Sequence, residues 1–118
     1  MKALGTHIVC ELSGCNAALL TDVDAVAEMM EQAAREANAT PIEKAFHRFQ
    51  PQGVSGVVVI QESHLSIHTW PEESLIAIDL FSCGAIDGER VLAELTAALR
   101  LENPRVTTVE RGIPAGAA

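Results

Sequence analysis

A chain of 118 residues with 16 acidic and 8 basic side chains, formal net charge −8, reads as one domain able to bury roughly two-thirds of its unfolded surface. Its apolar content is ordinary for a globular protein, which argues against disorder, and its acidity argues against nucleic acid or an anionic membrane as partner. Apolar runs such as residues 57–60 are far too short to span a bilayer.

In chain order, residues 4–12, LGTHIVCEL, alternate as a strand with Ile8, Cys10 and Leu12 on one face and His7, Val9 and Glu11 on the other. SGCNAALL reads as a turn-like connection. Thr21, with Asp24 three residues on, is the expected N-terminal cap of a helix carrying Val23, Val26, Ala27, Met30, Ala33, Ala34 and Ala37 at helical spacing, and Asn38 is the expected stop. Strands are expected at 40–50, 54–62, 64–70 and 75–83, with turn chemistry at Pro51-Gln52-Gly53 and a loop at Pro71-Glu72-Glu73-Ser74. Asp87 is placed to cap a second helix, 88–100, with the stripe Val91, Leu92, Leu95, Ala98 and Leu99; Asn103-Pro104 ends it. RVTTVE is a last short strand, and the tail GIPAGAA is expected to be loose. This order predicts an α+β fold: a two-layer α/β sandwich, mainly antiparallel sheet with two helices on one face.

Cys10, Cys15 and Cys83 are an odd number without a C-x-x-C pair, against both a disulfide framework and a zinc ribbon. The first residues lack a signal peptide's apolar core. The expectation is a cytoplasmic protein with reduced thiols.

The chemistry gathers in VSGVVVIQESHLSIHTWPE, residues 54–72. An apolar strand is interrupted by Glu62, Ser63 and His64, then resumes with His64, Ser66, His68 and Trp70 on one face. The residues alone leave several readings open. A His-x-x-x-His pair suits a metal but has no third ligand of matching spacing. A Ser–His hydrolase would want a G-x-S-x-G elbow, which is absent. A solvated sheet surface needs nothing further.

A resemblance narrows these. FHRF at 46–49, GVSGVVVI at 53–60, ESH at 62–64, HTWPE at 68–72 and AIDLFSCG at 77–84 resemble, in order, the bacterial and archaeal S-adenosylmethionine decarboxylase proenzymes. LGTHIV at the start is similar to the family as well, so the match covers most of residues 3–84. The resemblance implies one domain that cleaves itself into residues 1–62 (β chain) and 63–118 (α chain). The Ser63 hydroxyl would attack the Glu62 carbonyl, turning the amide into an ester. His68 matches the base that takes the Ser63 α-proton, and Ser55 a residue that steadies the intermediate. Elimination and hydrolysis would leave Ser63 as a pyruvoyl group, a built-in cofactor that needs no metal. That group would form a Schiff base with the substrate amine and accept the electrons released with CO₂. Cys83 matches the donor that protonates the substrate carbon.

The same resemblance implies S-adenosylmethionine as substrate, with Phe49 and Trp70 flanking the adenine and Glu72 accepting from the ribose hydroxyls, and a role in spermidine synthesis. It also implies a homodimer of cleaved chain pairs with sites near the subunit interface, and no nucleic-acid or membrane partner. His7 and Glu11 share a strand face within reach of such a site. Two alternatives stand beside this reading. One is a pyruvoyl-dependent ornithine or arginine decarboxylase, which the added charge of Glu73 would suit. The other is an unprocessed homologue that binds and regulates.

Overall fold

The four central strands alternate buried apolar side chains with more exposed ones, and the fold follows from where the buried half can go. The computed structural model describes residues 3–61, 63–83, 87–99 and 104–115. The elements run β1 (Gly5–Ser13), α1 (Ala17–Leu20), α2 (Val23–Glu36), β2 (Pro41–Arg48), β3 (Val54–Ile60), β4 (Ser63–Trp70), a 3₁₀ turn (Pro71–Glu73), β5 (Leu75–Ser82), α3 (Gly88–Leu99) and β6 (Arg105–Arg111). The strands form one six-stranded sheet in the order β2-β3-β4-β5-β1-β6, and every neighbouring pair is antiparallel.

One sheet face is apolar and covered. Ile8, Cys10 and Leu12 of β1, Val54, Val58 and Ile60 of β3, Leu65 and Ile67 of β4, and Ile76, Ile78 and Leu80 of β5 meet Val26, Met30, Ala33 and Ala34 of α2 and Val91, Leu92 and Leu95 of α3. Each fully buried Leu or Ile here contributes about 1.5–3 kcal/mol. Among the described residues no helix covers the opposite face. It presents His7, Val9 and Glu11 of β1, Ser55 and Val59 of β3, His64, Ser66, His68 and Trp70 of β4, and Asp79 and Phe81 of β5, all partly or fully exposed. No helix among the described residues is long and apolar enough to cross a membrane.

The α+β sandwich is as expected, with local corrections. The SGCNAALL connection holds a one-turn helix, α1, because the Asn16 side chain accepts the Ala18 N–H at 2.9 Å. The cap of α2 is Asp22, whose Oδ1 accepts the Ala25 N–H at 3.0 Å, and not Thr21. Thr21 is drawn away by a tertiary contact, accepting the Gly53 N–H at 3.3 Å. Asn38 does stop the helix, in the left-handed region at φ 62°. Asp87 caps α3 by accepting the Arg90 N–H at 3.1 Å.

Strand β3 ends at Ile60 rather than 62, and β4 starts at Ser63 rather than 64, because Ile60 and Ser63 pair directly across the hairpin. The loop at 71–74 contains a 3₁₀ turn begun by Pro71. Glu62, Gly84, the expected end of the second helix at residue 100, Asn103 and the last three residues of the tail lie outside the described residues. Two strand glycines are close-approach positions. A Cβ on Gly56 would fall inside the Phe46 ring, and one on Gly5 would stand 2.6 Å from the Phe81 ring and 3.2 Å from Cys83 Sγ.

Candidate active site

Strand β4 carries reactive side chains at both ends, and the two ends have different neighbours. At its first residue Ser63 is buried, with 8% exposed, and its Oγ accepts the Cys83 backbone N–H at 3.1 Å. The contact joins residues 20 apart in sequence, because β4 and β5 are antiparallel partners and Cys83 directly follows β5. The Ser63 hydroxyl is thereby held by a backbone donor, and the Cys83 thiol, partly exposed, lies beside Gly5. Absence of a side chain at Gly5 leaves room for both Phe81 and that thiol.

At the far end of β4, Ser55 and His68 face each other across the β3–β4 pair. Ser55 Oγ and His68 Nδ1 are 2.7 Å apart, and the His68 ring stacks on Trp70 with centroids 6.2 Å apart and planes at 29°. Phe49 follows β2 and lies edge-on to His47 at 4.6 Å. Gln52 donates to Glu72 Oε2 at 3.3 Å. These residues line a shallow cleft of about 180 Å³ formed by Phe49, Gln52, Gly53, Ser55, His68, Thr69, Trp70 and Glu72. Phe49 and Trp70 are 46% and 42% exposed, so neither is a core side chain. The cleft is small against the ~300–1,000 Å³ usual for a drug-sized ligand.

The expected site residues therefore fall into two groups. Ser63 and Cys83 meet at one end of β4; Ser55, His68, Phe49, Trp70 and Glu72 gather at the other. Ser63 and His68 are five residues apart on one extended strand, about 16 Å at ~3.3 Å per residue. Within one chain the two groups do not meet. Glu62 lies outside the described residues. Glu11 is paired with Arg105 at 3.4 Å on the strand face shared with His7.

Between the groups lies a cluster the sequence reading did not assemble. Asp79 of β5 accepts from His7 Nε2 at 2.5 Å, from His64 Nε2 at 3.3 Å and from the Ser66 hydroxyl. The sequence signal was available: Asp79 is the one acid inside the apolar strand LIAIDLFS, on the alternation face that β4 fills with imidazoles. The other two cysteines belong to the core. Burial pushes the Cys10 thiol up, with Glu11 adding to the effect, and burial also raises Cys15.

The chain matches the family model described as S-adenosylmethionine decarboxylase over residues 6–112, which extends the likeness through β6. It is 49% identical to the S-adenosylmethionine decarboxylase proenzyme of Caldanaerobacter subterraneus subsp. tengcongensis, covering 96% of this chain and 92% of the relative. It is also 49% identical to that of Thermotoga maritima, covering 95% and 87%. Its fold superposes on the crystal structure of the adenosylmethionine decarboxylase from Aquifex aeolicus with a TM-score of 0.87 at 35% identity, covering 100% of this chain and 98% of that one. A Trypanosoma brucei structure is alike in fold alone, at TM-score 0.63 and 14% identity, with 44% of that longer chain covered. With the family model spanning nearly the whole sheet and relatives at 49% identity matching over most of their length, the chain belongs to the S-adenosylmethionine decarboxylase family.

Proposed function

We infer that the chain is a proenzyme that cuts itself between Glu62 and Ser63 and then decarboxylates S-adenosylmethionine with a pyruvoyl group made from Ser63. The observation that carries this reading is the contact between the Ser63 hydroxyl and the Cys83 N–H. In this reading those two neighbouring motif residues would open and close the reaction. The relatives' name, a decarboxylase proenzyme, favours this over an ornithine or arginine decarboxylase and over an unprocessed partner.

In the first step Ser63 Oγ bonds to the residue-62 carbonyl carbon as the C–N bond breaks, exchanging an amide for an ester. Removal of the Ser63 α-proton then expels the 1–62 chain as a carboxylate. Water displaces the nitrogen of the unsaturated residue as ammonia and leaves a ketone. That group supplies a carbonyl able to take up the electron pair released with CO₂. Ser63 suits this fate: it is buried at a strand start, its hydroxyl already oriented. Cys83 Sγ holds the proton destined for the substrate carbon. Trp70 and Phe49 offer aromatic faces to an adenine and to a sulfonium cation, and Glu72 offers two acceptor oxygens to a ribose.

The base assigned to proton removal, His68, sits at the wrong end of β4 to serve Ser63 of its own chain. A homodimer resolves this. Two copies joined through their uncovered sheet faces about a two-fold axis would set the Ser63 end of one β4 against the Trp70 end of the other. Ser63 and Cys83 would then be served by Ser55 and His68 of the partner subunit. The exposed apolar side chains of that face, Val9, Val59, Trp70 and Val109 among them, support such burial. Three free cysteines fit the reducing cytoplasm.

The test is the intact mass of the purified protein, followed by borohydride treatment with S-adenosylmethionine present. The expected result is two fragments broken at 62/63, the larger-numbered one gaining decarboxylated substrate on reduction. A single uncleaved mass sinks the enzyme reading. Cleavage with trapping of ornithine or arginine instead would reassign the substrate.

A further inference from the structure

The cluster around Asp79 joins four strands and adjoins the Ser63–Cys83 end of the sheet. His7 comes from β1, His64 and Ser66 from β4, Asp79 and Phe81 from β5, and Arg111 from β6. Arg111 Nη1 lies 3.2 Å from His7 Nδ1. A guanidinium has donors and no acceptor, so Nδ1 is the bare nitrogen of His7 and Nε2 carries the hydrogen given to Asp79. The Asp79 carboxylate collects three donors: Oδ2 accepts from His7 and His64, and Oδ1 from Ser66. The rings lock against one another. His64 stacks on Phe81 at 6.1 Å with planes at 25°, His7 meets both edge-on, and Arg111 lies over Phe81 at 5.9 Å.

His7, His64 and Asp79 also place three ligand atoms within 4.8 Å of one another, as a metal site would. Two features decide against a metal. The Nε2 of His7 would have to be bare, which its hydrogen bond from Arg111 at the other nitrogen opposes. A fixed guanidinium beside the ring would also repel a cation. The cluster is a hydrogen-bonded hub.

We propose that Asp79 is a positioning residue for the reacting end of the α chain, acting through the His64 imidazole. The inference rests on the reading that Ser63 is processed. Cleavage before Ser63 turns a continuous hairpin into a free strand end, and free ends fray. His64 is the next residue, so whatever fixes its side chain fixes the peptide that carries the reactive group. Backbone pairing alone fixes the strand; the Asp79–His64 bond and the Phe81 stack fix the first side chain after Ser63. His7 and Arg111 in turn hold Asp79 from the other side, through β1 and β6.

The test uses full-length protein purified after processing, in four forms: native, D79N, H64A and the D79N/H64A double variant. The readouts are cleavage by intact mass, kcat and KM for S-adenosylmethionine, and thermal melting. Asp79→Asn is expected to cleave and to melt within about 4 °C of native. Its kcat should fall by at least ~10-fold, short of the ~100-fold that a 1 Å misplacement can cost, with KM nearly unchanged. His64→Ala should lose kcat to the same degree, and the double variant should lose no more than either alone, because one path carries both effects. A merely structural role would instead add the two losses and lower the melting midpoint in step. A native chain that never cleaves overturns the reading of Ser63 and this inference with it. A cleaved native chain with D79N at native kcat, or additive losses, overturns the inference alone. Loss of native kcat on dialysis against a chelator, restored by zinc, would also overturn it by making the cluster a metal site.

Discussion

Ser55 and His68 sit directly opposite each other in the β3–β4 ladder, their side chains 2.7 Å apart, while Ser63 stands at the other end of the same strand. The pair is thus prearranged as a serine-oriented imidazole, with Ser63 about 16 Å away along the same strand at ~3.3 Å per residue. If the reaction centre is assembled from two subunits, complementation follows. S63A and H68A, each expressed alone, are expected to stay at the uncleaved 12.5 kDa. Co-expressed, the H68A chain should be cut, since its Ser63 would meet His68 of the partner subunit. Mass spectrometry of the mixed dimer reads this directly. Failure of the mixture to cut, with native protein cutting, would place the whole centre within one chain.

Trp70 is 42% exposed and, among the described residues, stacks on His68 alone, which leaves indole surface to take a planar ligand. Trp70→Ala is expected to leave cleavage intact and to raise KM by about 2- to 12-fold. That range corresponds to the ~0.5–1.5 kcal/mol of an aromatic contact. Steady-state kinetics on the cleaved variant checks it; an unchanged KM would move the adenine elsewhere.

Gly56 and Phe46 are cross-strand partners, and a Cβ on Gly56 would occupy the volume of the Phe46 ring. Gly56→Ala should destabilise by about 1–3 kcal/mol through overpacking. In a Phe46→Ala background the same change should cost much less, a coupling of about 1 kcal/mol or more. Urea unfolding of the four proteins measures the cycle.

Burial raises the Cys10 and Cys15 thiols above the ordinary 9.0. The sign follows from linkage: the unfolded chain ionises first, so this contribution to stability is fully present below pH 9 and is lost as pH rises beyond it. Melting midpoints should therefore decline above pH 9, and substitution of both thiols by alanine should flatten that decline. At neutral pH a maleimide should label Cys83, which is partly exposed, well before the two core thiols.

What the sequence determined by itself was local. Alternation and turn chemistry pointed to six strands, and ~3.6-residue spacing to two main helices, because a side chain's face depends only on its own position along its element. Ordered motifs pointed to the family and to Ser63, His68 and Cys83. Boundaries slipped where a tertiary partner intervened: Thr21 lost the helix cap to Asp22 because Gly53 claimed its hydroxyl. What only the tertiary structure decided was which reactive residues meet. Placing Ser63 against Cys83, and Asp79 among His7, His64 and Arg111, requires a strand order that brings residues from opposite ends of the chain together. Parity along a strand cannot encode its neighbours. It could show that His68 shares a face with His64, but not that His68 meets Ser55 across β3 or that His64 meets Asp79 across β5.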